Sequence, residues 1–367
     1  MKIWIESKNA IFQNSGISQW MHGILLGIDE KDKNKFILVS PIAKIIPFPD
    51  LNFRSKLLPW PTFSPRRVSS LFYDLLVFRI FARLNKPDLI FTPYFDVLMP
   101  KRIKTIITIH DLCFIEAADQ YSFFRRKYFV YMMKINLKRA SLVFTVSQSS
   151  KTAIELRLGF PSEKIVVLPN ELDPEFKSFR PNKAEIESFK NSYPKGSKLV
   201  LYTGGLENRK NVPRLLSSID NLNSKGMKVV LLITGSPHKY WLQIVGQKRI
   251  VDSSVSFLGF LDSIDLKIAY SAADAVVYPS LSEGFGRACI EAMNSGTPLA
   301  CSDITVFREV SGDYAKYFNP KDQSNIETVL QAILQDGSAR IAVTEKSSTN
   351  SDTKIFQNSL ELLLGKI

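Results

Sequence analysis

Short runs rich in β-branched and aromatic residues alternate along this chain with longer amphipathic stretches. Few architectures fit that alternation. Parallel strands need crossovers of a dozen residues or more, and amphipathic helices supply them. Strands are expected at 2–6, 36–39, 88–91, 105–109, 142–146 and 165–168, and again at 198–203, 229–234, 255–257, 275–278, 299–302 and 316–318. Between the two sets, 170–196 holds Pro174, Pro181, Pro194 and many charges, which reads as an inter-domain linker with a short helix in it. The expected fold is α/β, with two doubly wound Rossmann-like domains at 1–172 and 173–347 and a terminal helix within 348–367 that returns to the first domain. Such sheets bind ligands beyond their strand C-termini, which places the expected site in a cleft between the domains.

Composition narrows the class. With 45% hydrophobic residues in 367, the chain has enough apolar surface for two cores. No apolar run reaches the roughly 18 residues that span a bilayer; the richest, 71–81, is interrupted by Asp74 and Arg79. The start, MKIWIESKN, has no apolar signal core, and three cysteines (Cys113, Cys289, Cys301) make neither a disulfide framework nor a spaced metal site. A cytoplasmic setting is expected. The net charge of +13 is unevenly placed: residues 1–170 hold 25 Lys/Arg against 13 Asp/Glu. Such a first half attracts an anionic partner, an acidic lipid surface or a phosphorylated acceptor. Nucleic acid is not expected, because no zinc-ligand spacing or RNA-binding aromatic signature accompanies the charge.

The densest chemistry lies in PSLSEGFGRACIEAMNSGTP, 279–298. It follows an expected strand. Gly284 and Gly286 flank Phe285 and let the backbone approach a ligand. A helix is expected to start near Arg287 and stop at Gly296, with free N–H groups suited to an anion such as a diphosphate. Glu291 is a lone acid among Ala288, Cys289, Ile290, Ala292 and Met293, a costly place for a carboxylate unless something binds it. Glu283 lies in the loop. Spacing alone fits a glycine-rich connection with structural acids about as well.

A second constellation is LYTGGLENRKN, 201–211. A strand runs into Gly204-Gly205, and Arg209-Lys210 open the next helix. Cations are the wrong sign for a helix start and the right sign for a leaving diphosphate. Earlier, IITIHDLCF (106–114) sets His110-Asp111 just after a strand, and Thr92-Pro93-Tyr94-Phe95 forms another strand-end loop whose aromatics suit either sugar stacking or the core. Asn14-Ser15-Gly16-Ile17-Ser18 separates the first strand from a helix expected near Gln19.

Together these segments resemble the retaining family 4 glycosyltransferases of GT-B fold, over about residues 1–335. The match is most specific at the two glutamates eight residues apart, where PSLSEGFG and EAMNSGTP also agree. The resemblance implies that Glu283 contacts sugar hydroxyls near the reacting carbon and that Glu291 holds the donor ribose. Gly284, Phe285 and Gly286 would line the sugar-phosphate. Lys210 takes the family's lysine position, while Gly205 stands where many members carry Arg, a charge Arg209 would supply instead. His110 corresponds to a histidine beside the transferred sugar, with Tyr94 and Phe95 on the acceptor side. Gly16 corresponds to the glycine loop, and Gly259 and Phe260 would lie near the base. The implied co-substrate is a nucleotide-sugar, with mannose from GDP-mannose favoured, and the implied acceptor is a saccharide or lipid-linked saccharide of a bacterial surface polysaccharide. No Asp-x-Asp occurs, so neither a metal nor another cofactor is expected. A GT-B epimerase or hydrolase, or a silent nucleotide-sugar-binding protein, remains the alternative.

Overall fold

The computed structural model describes residues 2–11, 16–41, 48, 51–60, 66–118, 121–235, 243–245, 254–336 and 358. Apart from 358, the expected terminal helix at 348–367 falls outside these, as do the loop residues Asn14 and Ser15. The chain separates into two compact units, with the break between Glu171 and Leu172.

The first unit is built on seven strands: β1 (Ile3–Glu6), β2 (Phe36–Pro41), β3 (Arg54–Leu58), β4 (Leu89–Thr92), β5 (Lys104–Thr108), β6 (Leu142–Thr145) and β7 (Ile165–Val167). All pair in parallel, in the order β3-β2-β1-β4-β5-β6-β7. β1 sits where the order reverses, with Ile3 opposite both Phe36 and Leu89. The inner strands are buried along their length, as parallel strands covered on both faces must be. β3, with the sequence RSKLL, is a mostly exposed edge strand that the apolar pattern did not reveal.

The second unit repeats the plan with β8 (Lys198–Tyr202), β9 (Val229–Thr234), β10 (Val255–Gly259), β11 (Ala275–Tyr278), β12 (Leu299–Ser302) and β13 (Ala315–Phe318), ordered β10-β9-β8-β11-β12-β13. Every pairing between these strands is parallel. The order reverses between β8 and β11.

The segment expected to be a linker is instead part of this unit. It forms the helices Pro174–Ser178 and Lys183–Asn191, both packed on the helix Ser263–Ala272. Asp173 caps the first, and a reciprocal Asn182–Glu185 capping box starts the second. Phe176 is buried in the core and meets the Tyr270 ring edge-on at 5.8 Å. Buried Lys267, from the same packing layer, donates to the Asn294 carbonyl at 3.0 Å, closing the C-terminal end of the helix Arg287–Asn294. That helix carries half of the candidate site.

Candidate active site

The loops that follow β8 and β11 flank the reversal point of the second sheet, the place where doubly wound sheets take ligands. They are tied together directly. Leu281 N–H donates to the Arg209 carbonyl at 2.7 Å, and the Asn211 side chain donates to the Pro279 carbonyl at 3.1 Å. Asn211 holds a left-handed conformation, φ 58°, which Asn tolerates better than most residues and which turns the short helix Asn208–Lys210 into the longer Val212–Ser224.

This crossing brings Glu283 to Arg209 and Lys210. Arg209 donates to Glu283 Oε2 at 2.8 Å and Lys210 to Oε1 at 2.6 Å, with the Ser280 hydroxyl donating to the same Oε1 at 2.8 Å. Burial pushes the Glu283 carboxyl up, but Lys210 and Arg209, with the Lys210 and Ser280 hydrogen bonds, outweigh it and hold the group at about 2. Glu283 is therefore a carboxylate at any physiological pH. A carboxylate offers about four acceptor positions, and these three donors leave one for a ligand hydroxyl. Two cations against one anion leave the cluster with one positive charge to spare.

The loop then turns into the helix Arg287–Asn294 at Gly286, whose φ is 102°. A Cβ there would lie 2.8 Å from the Phe307 ring, so glycine is required both by the backbone and by the space. A glycine N-cap also leaves the first amides of the helix without a side-chain acceptor. Gly284 is buried and Phe285 half-buried in this turn.

Glu291, one turn into the helix and 8% exposed, is not alone as its apolar neighbours suggested. Arg287 Nε donates to Oε1 at 3.0 Å and the Tyr270 hydroxyl to Oε2 at 2.8 Å. Tyr270 in turn meets the hydroxyls of Tyr278 and Thr203, each at 2.8 Å, and Thr203 also bonds Tyr278. Arg287, Tyr270, Tyr278, Thr203 and Ser280 are the members of this site that sequence reading missed. The only available signal was negative, a buried acid in need of partners.

Two glycines before the cation pair shape the β8 loop. A Cβ at Gly204 would collide with the Tyr202 ring, and the Tyr202 hydroxyl donates to the Gly205 carbonyl at 2.6 Å. At the far edge, Gly259 ends β10 with φ 74°, and Phe260 beside it is 78% exposed.

In the first unit, His110 follows β5. Its Nε2 lies 2.9 Å from the Pro93 carbonyl, and its ring meets Trp20 edge-on at 4.9 Å. A carbonyl only accepts, so Nε2 carries the proton. Burial holds the imidazole down at about 4, against the pull of the Pro93 bond and Asp111, so the ring is neutral and Nδ1 is an acceptor. Tyr94 is half-buried, with its ring 4.4 Å from Phe95. Phe95 itself is 1% exposed and part of the core, where it packs against Tyr94, so of the two aromatics expected on the acceptor side only Tyr94 is partly accessible. Gly16 begins the helix Gly16–Leu26, earlier than expected, in open space on the surface.

The reversal point of the first sheet holds a cluster that the sequence did not announce. Lys8 pairs with Asp74 and, at 2.9 Å, with Asp96, while the Glu6 carboxyl accepts from the Lys8 amide at 2.9 Å through Oε1 and has Oε2 buried without a partner among the described residues. Burial lifts Glu6 to about 8, opposed by Lys8 and aided by Asp96 and Asp74. Asp74 rises to about 7 by burial, opposed by Lys8 and aided by Asp96. Asp74 reaches Lys8 from a π-helical turn, Tyr73–Val77.

The profile of glycosyl transferases group 1 matches residues 183–349, and that of glycosyltransferase family 4 matches 42–176. The O-antigen chain mannosyltransferase RfbU of Salmonella typhimurium is 33% identical over 264 residues, 71% of this chain and 69% of that protein. The chain belongs to the family 4 glycosyltransferases. The Escherichia coli O-antigen chain mannosyltransferase B is 28% identical over 267 residues, again 71% and 69% of the two chains. WaaG, a glycosyltransferase involved in lipopolysaccharide biosynthesis, superposes with a TM-score of 0.70 at 16% identity, covering 100% of this chain and 98% of that one, which shows the shared GT-B fold. This family 4 chain is accordingly an enzyme of glycosyl transfer. No described helix is long and apolar enough to cross a membrane.

Proposed function

We propose that this glycosyltransferase moves a hexose, mannose in our reading, from a nucleotide-sugar to a saccharide or lipid-linked saccharide during assembly of a bacterial surface polysaccharide such as O-antigen or capsule, with retention of configuration. The observation that carries the reading is the Arg209–Glu283–Lys210 cluster at the reversal point of the second sheet. Mannose and O-antigen are suggested by the names of the two curated relatives. GDP as the carrier rests on the style of the GGLENRKN and HDLCF motifs.

When the bond between the anomeric carbon and the β-phosphate oxygen breaks, the electron pair stays on the phosphate. The spare positive charge of Arg209 and Lys210, with the open amides after Gly286, stabilises it there without calling on a metal. The anomeric carbon becomes cationic, and a permanently ionised Glu283 stabilises that charge while its remaining acceptor position orients a sugar hydroxyl. Glu291, held by Arg287 and Tyr270, accepts the donor ribose hydroxyls, and exposed Phe260 stacks on the base. In the first unit, Nδ1 of neutral His110 accepts from a sugar hydroxyl and Tyr94 offers the acceptor a stacking face. The basic first half suits an enzyme working peripherally at the inner face of the cytoplasmic membrane.

The test is to incubate the protein with GDP-, UDP- and dTDP-sugars plus a lipid-linked or short saccharide acceptor, with and without EDTA, and measure released nucleoside diphosphate. Release that needs acceptor, ignores EDTA and is greatest with GDP-mannose is expected. Release without acceptor would point to a hydrolase instead, and no consumption of any donor would sink the transferase reading.

A further inference from the structure

Of the fourteen large hydrophobic side chains exposed among the described residues, nine lie on two helical segments of the first unit. The first runs without interruption from Arg66 to Asn85, its middle turn being the π-helical Tyr73–Val77. It buries Ser69, Tyr73, Asp74, Phe78 and Ala82, and presents Val68, Leu71, Phe72, Leu76, Ile80 and Leu84 outward, Leu84 at 72%. The second is Phe123–Leu137, which buries Met132, Met133, Asn136 and Leu137 and exposes Phe123, Phe124 and Tyr131, Phe124 at 83%. A water-facing helix normally keeps its apolar residues on the inner stripe and charge outside. Here the outer faces carry nine large apolar side chains among their exposed cations.

The two segments share one core, and their C-terminal ends lie close together. Tyr73, Phe78 and Ala82 of the first segment share one core with Met132, Met133 and Leu137 of the second. Arg139, just after the second helix, is destabilised in its charged form by burial and by the nearby Arg79 and Arg83 of the first, with Tyr131 opposing. Among the described residues, no carboxylate bridges Arg79, Arg83 or Arg139. The charge around the apolar residues has one sign. From 121 to 139 there is no acid at all, against Arg125, Arg126, Lys127, Lys134, Lys138 and Arg139, and from 66 to 86 the sole acid, Asp74, is turned inward to Lys8. A surface suited only to water mixes both signs, whereas exposed apolar residues among cations that have no acid partner among the described residues suit the boundary between lipid headgroups and acyl chains.

We propose that the outer surface of these two helical segments is a docking face for an anionic lipid bilayer. Leu84, Ile80, Phe123 and Phe124 enter the headgroup boundary, and Arg83, Arg126 and their neighbours lie on lipid phosphates. This deepens the reading of a lipid-linked acceptor by naming the surface through which the enzyme meets the membrane, and it rests on that reading only for its purpose.

The full chain is sedimented with vesicles of phosphatidylglycerol and phosphatidylcholine, and with phosphatidylcholine alone, with neither donor nor acceptor present. Binding to the anionic vesicles, weakened by salt, is expected. The double variant Arg83→Gln/Arg126→Gln should lower partitioning about 25-fold, at about fivefold per cation. Leu84→Ser/Phe124→Ser should lower it by at least tenfold. Both variants change exposed side chains, so melting temperature and turnover on a soluble saccharide acceptor stay at wild-type values. A wild-type chain left in the supernatant, or variants that bind as well as wild type, overturns the proposal. A dimer in sedimentation velocity that Leu84→Ser/Phe124→Ser dissociates, without vesicle binding, would make the face a self-interface and also overturn it. Lipid binding by a chain that consumes no nucleotide-sugar would defeat the transferase reading and leave this one standing.

Discussion

Replacing Glu283 by glutamine should move catalysis and nucleoside diphosphate binding in opposite directions. The wild-type carboxylate accepts from Arg209 at 2.8 Å, Lys210 at 2.6 Å and Ser280 at 2.8 Å. Its carboxyl sits at about 2 where an ordinary glutamate sits at 4.5. At ~1.36 kcal/mol per unit, that is roughly 3 kcal/mol of preference for the charged form after the penalty of burial has been met. Glutamine keeps the shape and deletes the charge, so Arg209 and Lys210 face an incoming diphosphate with two positive charges instead of a net one. The gain in affinity is bounded by that ~3 kcal/mol, and a 10- to 100-fold tighter nucleoside diphosphate is expected, most marked at low ionic strength. Turnover moves the other way. Nothing then offsets the positive charge growing at the anomeric carbon, and loss of one preorganised group of this kind costs about 10² to 10³ in kcat.

Calorimetric titration with GDP and UDP measures the first effect, and release of nucleoside diphosphate in the presence of acceptor measures the second. A thermal melt shows whether the second unit still folds. Undiminished kcat together with unchanged diphosphate affinity in a folded variant would refute the reasoning, because the cluster would then be neither the phosphate site nor a participant in the reaction.

Tyr270→Phe removes the hydroxyl that holds Glu291 Oε2, so the KM for donor should rise about tenfold with kcat within a factor of two, as steady-state kinetics would show. A shared fall in both would instead mark a folding defect. Gly286→Ala forces a Cβ against Phe307 at φ 102° and should destabilise the second unit by roughly 2–3 kcal/mol, read as a lower urea midpoint. Glu6 binds its proton more tightly in the fold (about 8) than in the unfolded chain (4.5), so the stability it contributes is fully present below pH 4.5 and is lost as pH rises to 8. Asp74, lifted to about 7, adds to the same trend, with Lys8 and Asp96 facing both groups. Glu6→Gln should therefore flatten the fall in first-unit stability between pH 5 and 8, by up to ~5 kcal/mol. Parallel curves for variant and wild type would mean that Glu6 is not buried as a neutral acid.

The sheet plan was legible because parallel strands buried on both faces are short continuous runs of Val, Ile, Leu and Phe, as in LVFT of β6 and VVLLIT of β9. Arg54–Leu58 escaped because an edge strand needs no such run, and its residues are mostly in water. The stretch after Asn170 misled through its prolines and charges. Its capping signal, Asn182 followed three residues later by Glu185, was present in the sequence, and what fixes the stretch to the second unit is burial of Leu172 and Phe176 in its core, with Phe189 and Tyr193 packed against it. The site was legible as motifs and illegible as pairs. Arg209 and Glu283 are 74 residues apart and meet only because β8 and β11 are adjacent in the sheet, a fact of topology that no local spacing encodes.

That adjacency also constrains the chemistry. Glu283 cannot deliver a proton, since Lys210 and Arg209 keep it ionised far below neutral pH. Nor is it poised as a covalent nucleophile, because three donors already occupy its oxygens and an attack would have to strip them away. Glu291 has both oxygens bonded, to Arg287 and Tyr270. With neither Glu283 nor Glu291 available as acid or attacking group, the retaining transfer we propose uses the departing phosphate as the base that takes the acceptor's proton. In the proposed reaction Arg209 and Lys210 then have two duties at once. They lower the energy of the phosphate as it leaves, and by stabilising its charge they weaken it as a base. Glu283 moderates the second effect by taking up part of their positive charge, which is a physical reason for a phosphate site to hold a carboxylate at its centre.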